Sequence, residues 1–247
     1  PLRYPNDNSK IAHIVMKLIP SNTSAITSPF FSGAGLETAL INQGLKIYGH
    51  SSFKSLYEFW SCLIENPEMV YQAAKHFYPI DEDIFYLIQE RIHQNENPYV
   101  RAGIFFVINR CTVEGTVTHG SMMKRHPKFN EYSLLMLKNF KTNLLKVFYD
   151  ESHEDVIDKS NKLILCCPPK YSSTVALNVN DTFFPENQKI DHKKLSERLF
   201  QKNKWILFSN YHKDLIEIYE PHNMIYIDKF YKETVDKPQY ILITNGV

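Results

Sequence analysis

The chain has 247 residues, of which 43% are hydrophobic and 13% aromatic, so it can bury one substantial core and carry an insertion as well. Its formal net charge is only +1. No apolar run approaches the roughly 18 residues of a membrane-spanning helix and no signal peptide is recognisable, so the sequence predicts a soluble protein without a membrane partner.

The first predicted elements are a helix and a strand that leads into a glycine turn. Apolar residues recur at helical spacing over Ser9–Ile19, and Pro20 ends that helix. Ala25–Phe31 is a predicted strand, Ser32–Gly35 a tight turn, and a helix begins at Leu36. A strand, a turn and a helix N-terminus in this order form a site for a polar or anionic group.

Helical and strand patterns alternate at both ends of the chain, with a helical block between them. Such a pattern predicts one α/β domain that is interrupted by an α-helical insertion. The remaining predicted elements are, in chain order, a strand Leu45–Tyr48; helices Phe53–Glu65, Glu68–Phe77, Asp81–His93, Tyr99–Ile108 and Ser133–Leu145; a strand ending at Cys167; a helix Asp191–Gln201; a strand Trp205–Ser209; a helix Lys213–Tyr219; and strands Met224–Phe230 and Tyr240–Thr244.

Basic residues are concentrated in the middle of the chain. The segment Arg101–Lys146 contains eight lysines or arginines but two acids, Glu114 and Glu131, which gives it a charge of about +6. A clustered basic surface is typical of proteins that contact the phosphate backbone of nucleic acids. The alternative is an ordinary solvated surface.

The stretch NKLILCCPPKYSS places two prolines directly after a predicted buried strand. Pro168 has no backbone N–H, so the strand ends before it and delivers the residues that follow to its carboxyl end. In open α/β sheets ligands bind at that edge. The alternative is that the two prolines form a turn and nothing more.

The four cysteines show no spacing typical of metal ligands, so no metal site is predicted. The adjacent pair cannot point the same way on a strand, because alternate side chains face opposite sides. We therefore expect reduced thiols in a cytoplasmic or nucleoid-associated, reducing compartment. These cysteines are Cys62, Cys111, Cys166 and Cys167.

Seven short motifs in this order resemble the Dam-like DNA adenine methyltransferases nearly end to end. The resemblance implies a doubly wound, Rossmann-like sheet that binds S-adenosylmethionine, formed by residues 1–52 and 155–247. It also implies a helical insertion, residues 53–154, that reads double-stranded DNA while a target adenine is flipped out. The motifs are LRYPNDNSKIAHIV, SPFFSGAG, SLYEFW, VRAGIFFVINRCTVEG, CPPKY, DHKKLSERLFQKNKWILFSN and QYILITN.

The strand end of that family carries Asp-Pro-Pro-Tyr, whose acid holds the adenine amino group and whose ring stacks on the base. Here Cys167 stands in place of the acid and Lys170 in place of the ring. A thiol is a weak acceptor and an ammonium group has no π face, so both tasks are impaired. Tyr171 stacks on a base only if the turn shifts. The candidate catalytic residues are Cys167, Pro168, Pro169, Lys170 and Tyr171.

The resemblance assigns the methyl donor, S-adenosylmethionine, to three places. In the opening motif Asn8 and its neighbours replace two glycines and a lysine of the family. The glycine turn is kept. After the second strand the family has an acid that binds ribose hydroxyls, and this chain has none there. The candidate donor-binding residues are Asn8, Lys10, Phe31, Gly33, Gly35, Tyr48 and His50.

The DNA-facing loop of the family is also altered. NRCTVEG keeps Asn109, Arg110 and Gly115, but Glu114 replaces an asparagine and brings negative charge near a polyanion. The basic residues that follow contact phosphates or belong to an ordinary solvated loop. The candidate DNA-binding residues are Asn109, Arg110, Gly115, Lys124, Arg125 and Lys128.

Because several catalytic and donor-binding groups are lost together, we expect a catalytically inactive pseudo-methyltransferase that serves as a DNA-binding or scaffolding subunit, beside an active methyltransferase or another protein. One alternative is a divergent but active S-adenosylmethionine-dependent DNA adenine-N6 methyltransferase. The other is a structural or assembly protein that binds only a protein partner. Enzymatic activity is therefore left open by the sequence.

Overall fold

The computed structural model describes residues 2–3, 8–112, 115, 117, 120–123, 128–150, 152–171 and 190–245. The candidate DNA-binding residues Lys124 and Arg125 lie outside these ranges. The described residues form ten α-helices and seven β-strands, which confirms the predicted α/β class.

The elements follow the chain in a mixed order of helices and strands. The helices are α1 Ala12–Leu18, α2 Gly35–Ile41, α3 Lys54–Glu65, α4 Pro67–Lys75, α5 Glu82–Arg91, α6 Pro98–Cys111, α7 Glu131–Lys138, α8 His153–Lys159, α9 His192–Phe200 and α10 Lys213–Tyr219. The strands are β1 Ala25–Ser28, β2 Lys46–Ser51, β3 Leu145–Tyr149, β4 Leu163–Cys166, β5 Trp205–Asn210, β6 Asn223–Ile227 and β7 Tyr240–Thr244.

The chain divides into two compact units. The first unit comprises Pro1–Asp7, Ser32–Ala34 and Phe53–Tyr149, and the second comprises Asn8–Phe31, Gly35–Ser52 and Asp150–Val247. The first unit thus includes most of the segment 53–154 that the sequence assigns to an insertion. A DNA-reading role for that segment stays a prediction.

The strands of the second unit pair in the order β2-β1-β4-β5-β7-β6. The pairs from β2 to β5 are parallel, and β7 runs antiparallel to both of its neighbours. This mostly parallel sheet is compatible with a Rossmann-like fold. The strand order reverses between β1 and β4, so the crevice outside their carboxyl ends is where a ligand is expected in a sheet of this kind.

The sheet is buried on both faces, which explains the continuous apolar runs in its central strands. All four residues of β4 are buried, and so are the first five of β5. On one face the fully buried Trp205 and Tyr219 belong to a core cluster with Leu195 and Leu199 of α9. The buried strands hold the backbone of the carboxyl edge in place.

The first unit is built around α6, in which nine of fourteen residues are buried. The side chain of Asn97 caps its N-terminus and Pro98 occupies its first turn, as is favourable for a helix start. Gly103 allows α4 to approach closely, because a Cβ atom there would lie 2.6 Å from the Cβ of Ala73. The ring of Phe59 on α3 stacks on Phe105 of α6 at 5.6 Å.

One predicted helix is wrong, and two elements were not predicted. Ser133–Leu145 was expected to be a single helix, but α7 ends at Lys138 and Leu145 begins β3. Leu137, Leu144 and Leu145 have helical spacing, so the sequence pattern did not indicate the polar turn between α7 and β3. The short helix α8 also had no counterpart among the predicted elements.

Candidate functional site

The carboxyl ends of β1 and β4 lie on either side of the point where the strand order reverses. β1 ends at Ser28 and β4 ends at Cys166, so Cys167 and Pro168 come directly after the strand. The corner predicted from the CCPPKY stretch therefore occupies the position where an open α/β sheet places a ligand. Cys166 belongs to a buried core cluster, and Cys167 is half-buried.

The thiol of Cys167 is held in its neutral form. Burial raises its pKa well above the ordinary value, and the nearby carboxylate of Glu37 raises it further. A hydrogen bond from the side chain of Asn8 opposes this shift but does not reverse it. A neutral thiol neither replaces a carboxylate as an acceptor nor acts as a strong nucleophile.

Glu37 is a functional candidate that the sequence analysis missed. It lies on α2, is only 5% exposed, and its Oε1 accepts a hydrogen bond from Oγ of Ser28 at 2.8 Å. The sequence did contain a signal for it, because Glu37 is an acid in the first turn of the helix that follows the glycine turn. The corner therefore does contain a carboxylate, on α2 instead of at the strand end.

A second missed acid lies at the end of β2. Nδ1 of His50 and Oδ2 of Asp150 lie 2.6 Å apart, and the backbone N–H of Asp150 donates to the carbonyl of Ser51. The sequence predicted no acid at this position because Asp150 is a hundred positions further along the chain. His50 is thus paired with a carboxylate.

Phe31 and Tyr48 occupy defined surroundings in the second unit. Phe31 is 1% exposed, and its ring covers Gly49 so closely that a Cβ there would lie 2.5 Å from the ring. The ring of Tyr48 lies under the ammonium groups of Lys46, at 5.4 Å, and Lys162, at 4.8 Å. Gly49 therefore has a steric role that the sequence did not indicate.

The glycine turn and the opening motif also have defined local geometry. In the turn the left-handed conformation falls on Ala34, with φ 57°, which lies between Gly33 and Gly35. Asn8 begins the 3₁₀ helix Asn8–Ile11. Lys10 of that helix is exposed, with its ammonium 5.2 Å from the ring centre of Tyr231.

Tyr171 is fixed in place by Asn210, the last residue of β5, and by Asp214 of α10. Its hydroxyl donates to Oδ2 of Asp214 and its backbone N–H donates to Oδ1 of Asn210, both at 2.7 Å. Nδ2 of Asn210 returns a bond to the carbonyl of Tyr171. The ring also lies 4.8 Å from that of His212. Lys170, beside it, is exposed.

The candidate DNA-binding residues in the first unit have mainly structural contacts. Nδ2 of Asn109, which is fully buried, donates to the carbonyls of Arg3 and Gly115, and its Oδ1 accepts from the backbone of Arg3. Gly115 has φ +83°, and a Cβ there would lie 2.4 Å from the carbonyl of Arg3. Burial, together with Arg3, lowers the pKa of Arg110 to about 10, while Lys128 is exposed. Their contact with DNA stays a prediction.

No protein-family model matches the chain, and no curated protein matches it either. Within the described residues, no group of three or more His, Cys, Asp or Glu side chains is placed to hold a metal ion. No helix in the part of the chain that the structure describes is long and apolar enough to cross a membrane.

The histidine beside Tyr171 gives the protein a testable pH dependence. His192 is 3% exposed, and burial lowers its pKa to about 4, against a small opposing effect of Asp191. The unfolded chain takes up this proton near pH 6.5, whereas the folded protein resists it until about pH 4. The contribution of neutral His192 to the stability of the folded protein is therefore complete above the pKa of the unfolded chain, and it is lost as the pH falls towards 4.

The free energy of unfolding of the wild type should fall between about pH 7.5 and about pH 5, because the buried His192 resists protonation. We expect this fall to be about 2 kcal/mol smaller in His192→Gln. Urea denaturation at both pH values measures this difference. His13→Gln, which removes an exposed histidine, serves as the matched control and should behave like the wild type. An unchanged pH dependence in His192→Gln would contradict the assignment.

Proposed function

We propose that the chain is a DNA adenine methyltransferase-like protein that does not transfer methyl groups and acts as a DNA-binding or scaffolding subunit. The ordered motifs carry the resemblance to this family. The mostly parallel sheet, with its reversal between β1 and β4, supports it.

The observation that carries the proposal is the state of the corner after β4. Methyl transfer in the family needs a hydrogen-bond acceptor for the adenine amino group and an aromatic ring that stacks on the base. Cys167 provides a neutral thiol, and the ring of Tyr171 is held by Asn210 and Asp214. Lys170 offers an exposed ammonium where the ring is expected. Neither Cys167 nor Lys170, which occupy the family positions for these tasks, has the group that its task needs.

Two carboxylates, Glu37 and Asp150, bear on the proposed binding of the donor. S-adenosylmethionine supplies an electrophilic methyl group on a sulfonium, and it also carries an ammonium group and a ribose diol. The carboxylates of Glu37 and Asp150 are chemically suited to these cationic and hydroxyl groups. We therefore expect the donor to bind without being used.

Support for DNA binding comes from exposed cations in the first unit. A protein that neutralises phosphates with such groups binds more weakly as salt rises, because counterions released into a more concentrated salt solution gain less entropy. Lysines of the basic segment that are exposed in the structure are Lys128, Lys138, Lys141 and Lys146.

Labelled duplex DNA in fluorescence anisotropy tests this proposal. With about four phosphate contacts, the affinity should fall about 100-fold between about 50 and about 200 mM salt. The double variant Lys128→Glu, Lys141→Glu should weaken binding, because it reverses two exposed charges. Lys193→Glu on α9, also exposed, is the control and should bind more nearly like the wild type.

Radiolabelled S-adenosylmethionine, added to the same mixtures, should leave the DNA unlabelled, while calorimetry detects binding of the donor. Label on adenines that disappears in Cys167→Ala would refute the loss of activity. Donor binding without any DNA binding would favour the assembly protein that contacts only other proteins.

A divergent active enzyme is the second candidate, and the buried carboxylate of Glu37 favours it. Glu37 accepts a hydrogen bond from Ser28 and acts electrostatically on Cys167, so its carboxylate lies where an adenine amino group would be held. If the protein is active, Glu37→Gln should lower the transfer rate about 100-fold. The amide keeps the size of the side chain and can still accept the bond from Ser28. Transfer at the wild-type rate in Glu37→Gln would exclude Glu37 from that role.

A further inference from the structure

The segment Asp228–Gln239 between β6 and β7, here called the β6–β7 loop, presents an aromatic ring to solvent. Phe230 is 69% exposed, and Val235 in the same loop is 88% exposed. Single exposed apolar residues are common on protein surfaces, so exposure alone has little meaning. The construction of the loop around Phe230 is more informative.

The backbone beneath Phe230 is fixed by one carboxylate. Oδ1 of Asp228 accepts hydrogen bonds from the N–H of Phe230 at 2.8 Å and of Lys232 at 2.9 Å. The N–H of Asp228 in turn donates to the carbonyl of Lys232. The turn is therefore closed on itself, and the ring of Phe230 is presented without the entropic cost of ordering a free loop.

Aromatic stacking supports the loop from the sheet. The ring of Tyr231 stacks on Tyr240 of β7 at 5.2 Å and 14°, and Tyr240 stacks on Phe208 of β5 at 5.5 Å. The next loop residues are tied to β6, because the N–H of Thr234 donates to the carbonyl of Tyr226. Phe230 thus extends from a rigid base.

Exposed cations surround the ring. Lys229, Lys232 and Lys237 are all exposed, and the ammonium of Lys229 lies 5.0 Å from the ring centre of Phe230. The loop contains three acids, Asp228, Glu233 and Asp236. Asp228 accepts hydrogen bonds from backbone N–H groups, and Glu233 pairs with Lys17. An aromatic ring flanked by ammonium groups is the combination that binds an unpaired base together with its phosphates.

The β6–β7 loop lies at the same edge of the sheet as the corner after β4. β6 and β5 are both antiparallel to β7, so they run in the same direction, and the loop leaves the sheet at its carboxyl edge. Three strand spacings separate β6 from β4, a distance of about 15 Å. The 3₁₀ helix Asn8–Ile11 has side-chain contacts at both places: Asn8 hydrogen-bonds to Cys167, and the ammonium of Lys10 lies over the ring of Tyr231.

We propose that Phe230 stacks on an unpaired nucleic-acid base beside the corner, while Lys229 and Lys232 contact the flanking phosphates. This inference rests on the proposed DNA-binding function. An apolar protein partner fits the loop less well, because Lys232 and Glu233 lie between its two exposed apolar side chains, Phe230 and Val235, and interrupt any continuous apolar patch.

Phe230→Trp gives a direct optical test. The two native tryptophans, Trp60 and Trp205, are fully buried, so the new indole is the exposed one. A single-stranded DNA of about 12 nucleotides should quench its red-shifted emission as a base stacks on it. A duplex with one unpaired base should quench it more strongly than the fully paired duplex.

Affinity provides the second arm of the test. Phe230→Ala should weaken binding of the same single strand about tenfold, whereas Val235→Ala should leave it unchanged. Both residues are exposed and apolar in one loop, so the pair separates stacking from general loop effects. Circular dichroism of each variant confirms that the fold is kept.

The outcomes separate this inference from the proposed function. Wild-type binding of DNA with no quenching in Phe230→Trp and no loss in Phe230→Ala would overturn the inference and leave DNA binding intact. No binding of any nucleic acid by the wild type would overturn both. Self-association of the wild type that Phe230→Ala abolishes, with DNA affinity unchanged, would assign the loop to a protein contact and overturn the inference.

Discussion

The buried carboxyl group of Glu37 on α2 acts electrostatically on the thiol that follows β4, and this interaction explains much of the site. Glu37 is buried there, bonded to Ser28, and near the side chain of Cys167. Two buried carboxylates at such proximity cannot both ionise without a large cost. A neutral thiol at position 167 avoids that repulsion. The unusual cysteine and the buried glutamate are therefore parts of one electrostatic arrangement.

Groups that the family resemblance connects with catalysis or DNA binding serve the architecture here. Tyr171 joins the segment after β4 to β5 and α10 through Asn210 and Asp214. In the first unit, Asn109 uses both ends of its amide to bind backbone groups of Arg3 and Gly115. A buried amide satisfied in this way costs little, whereas its removal leaves main-chain groups unpaired. Such residues stabilise the fold independently of any chemical role.

The sequence predicted what depends on local pattern. The alternating helices and strands and the strand that ends before Pro168 follow from periodicity and proline chemistry. The pairing of His50 with Asp150 and the fixing of Tyr171 were not predictable, because they join segments far apart in the chain. β3 was missed because Leu144 and Leu145 continued the helical spacing of α7.

The central claim is that Cys167 is a neutral thiol, and the pH dependence of its alkylation tests this most directly. Iodoacetamide modification of Cys167, followed by peptide mass spectrometry, reports the fraction of thiolate, since the thiolate is the nucleophile. The account predicts a rate that still rises above about pH 9, because burial and Glu37 raise the thiol pKa. A rate that reaches its plateau below about pH 8 would show a thiolate at the corner and contradict the account.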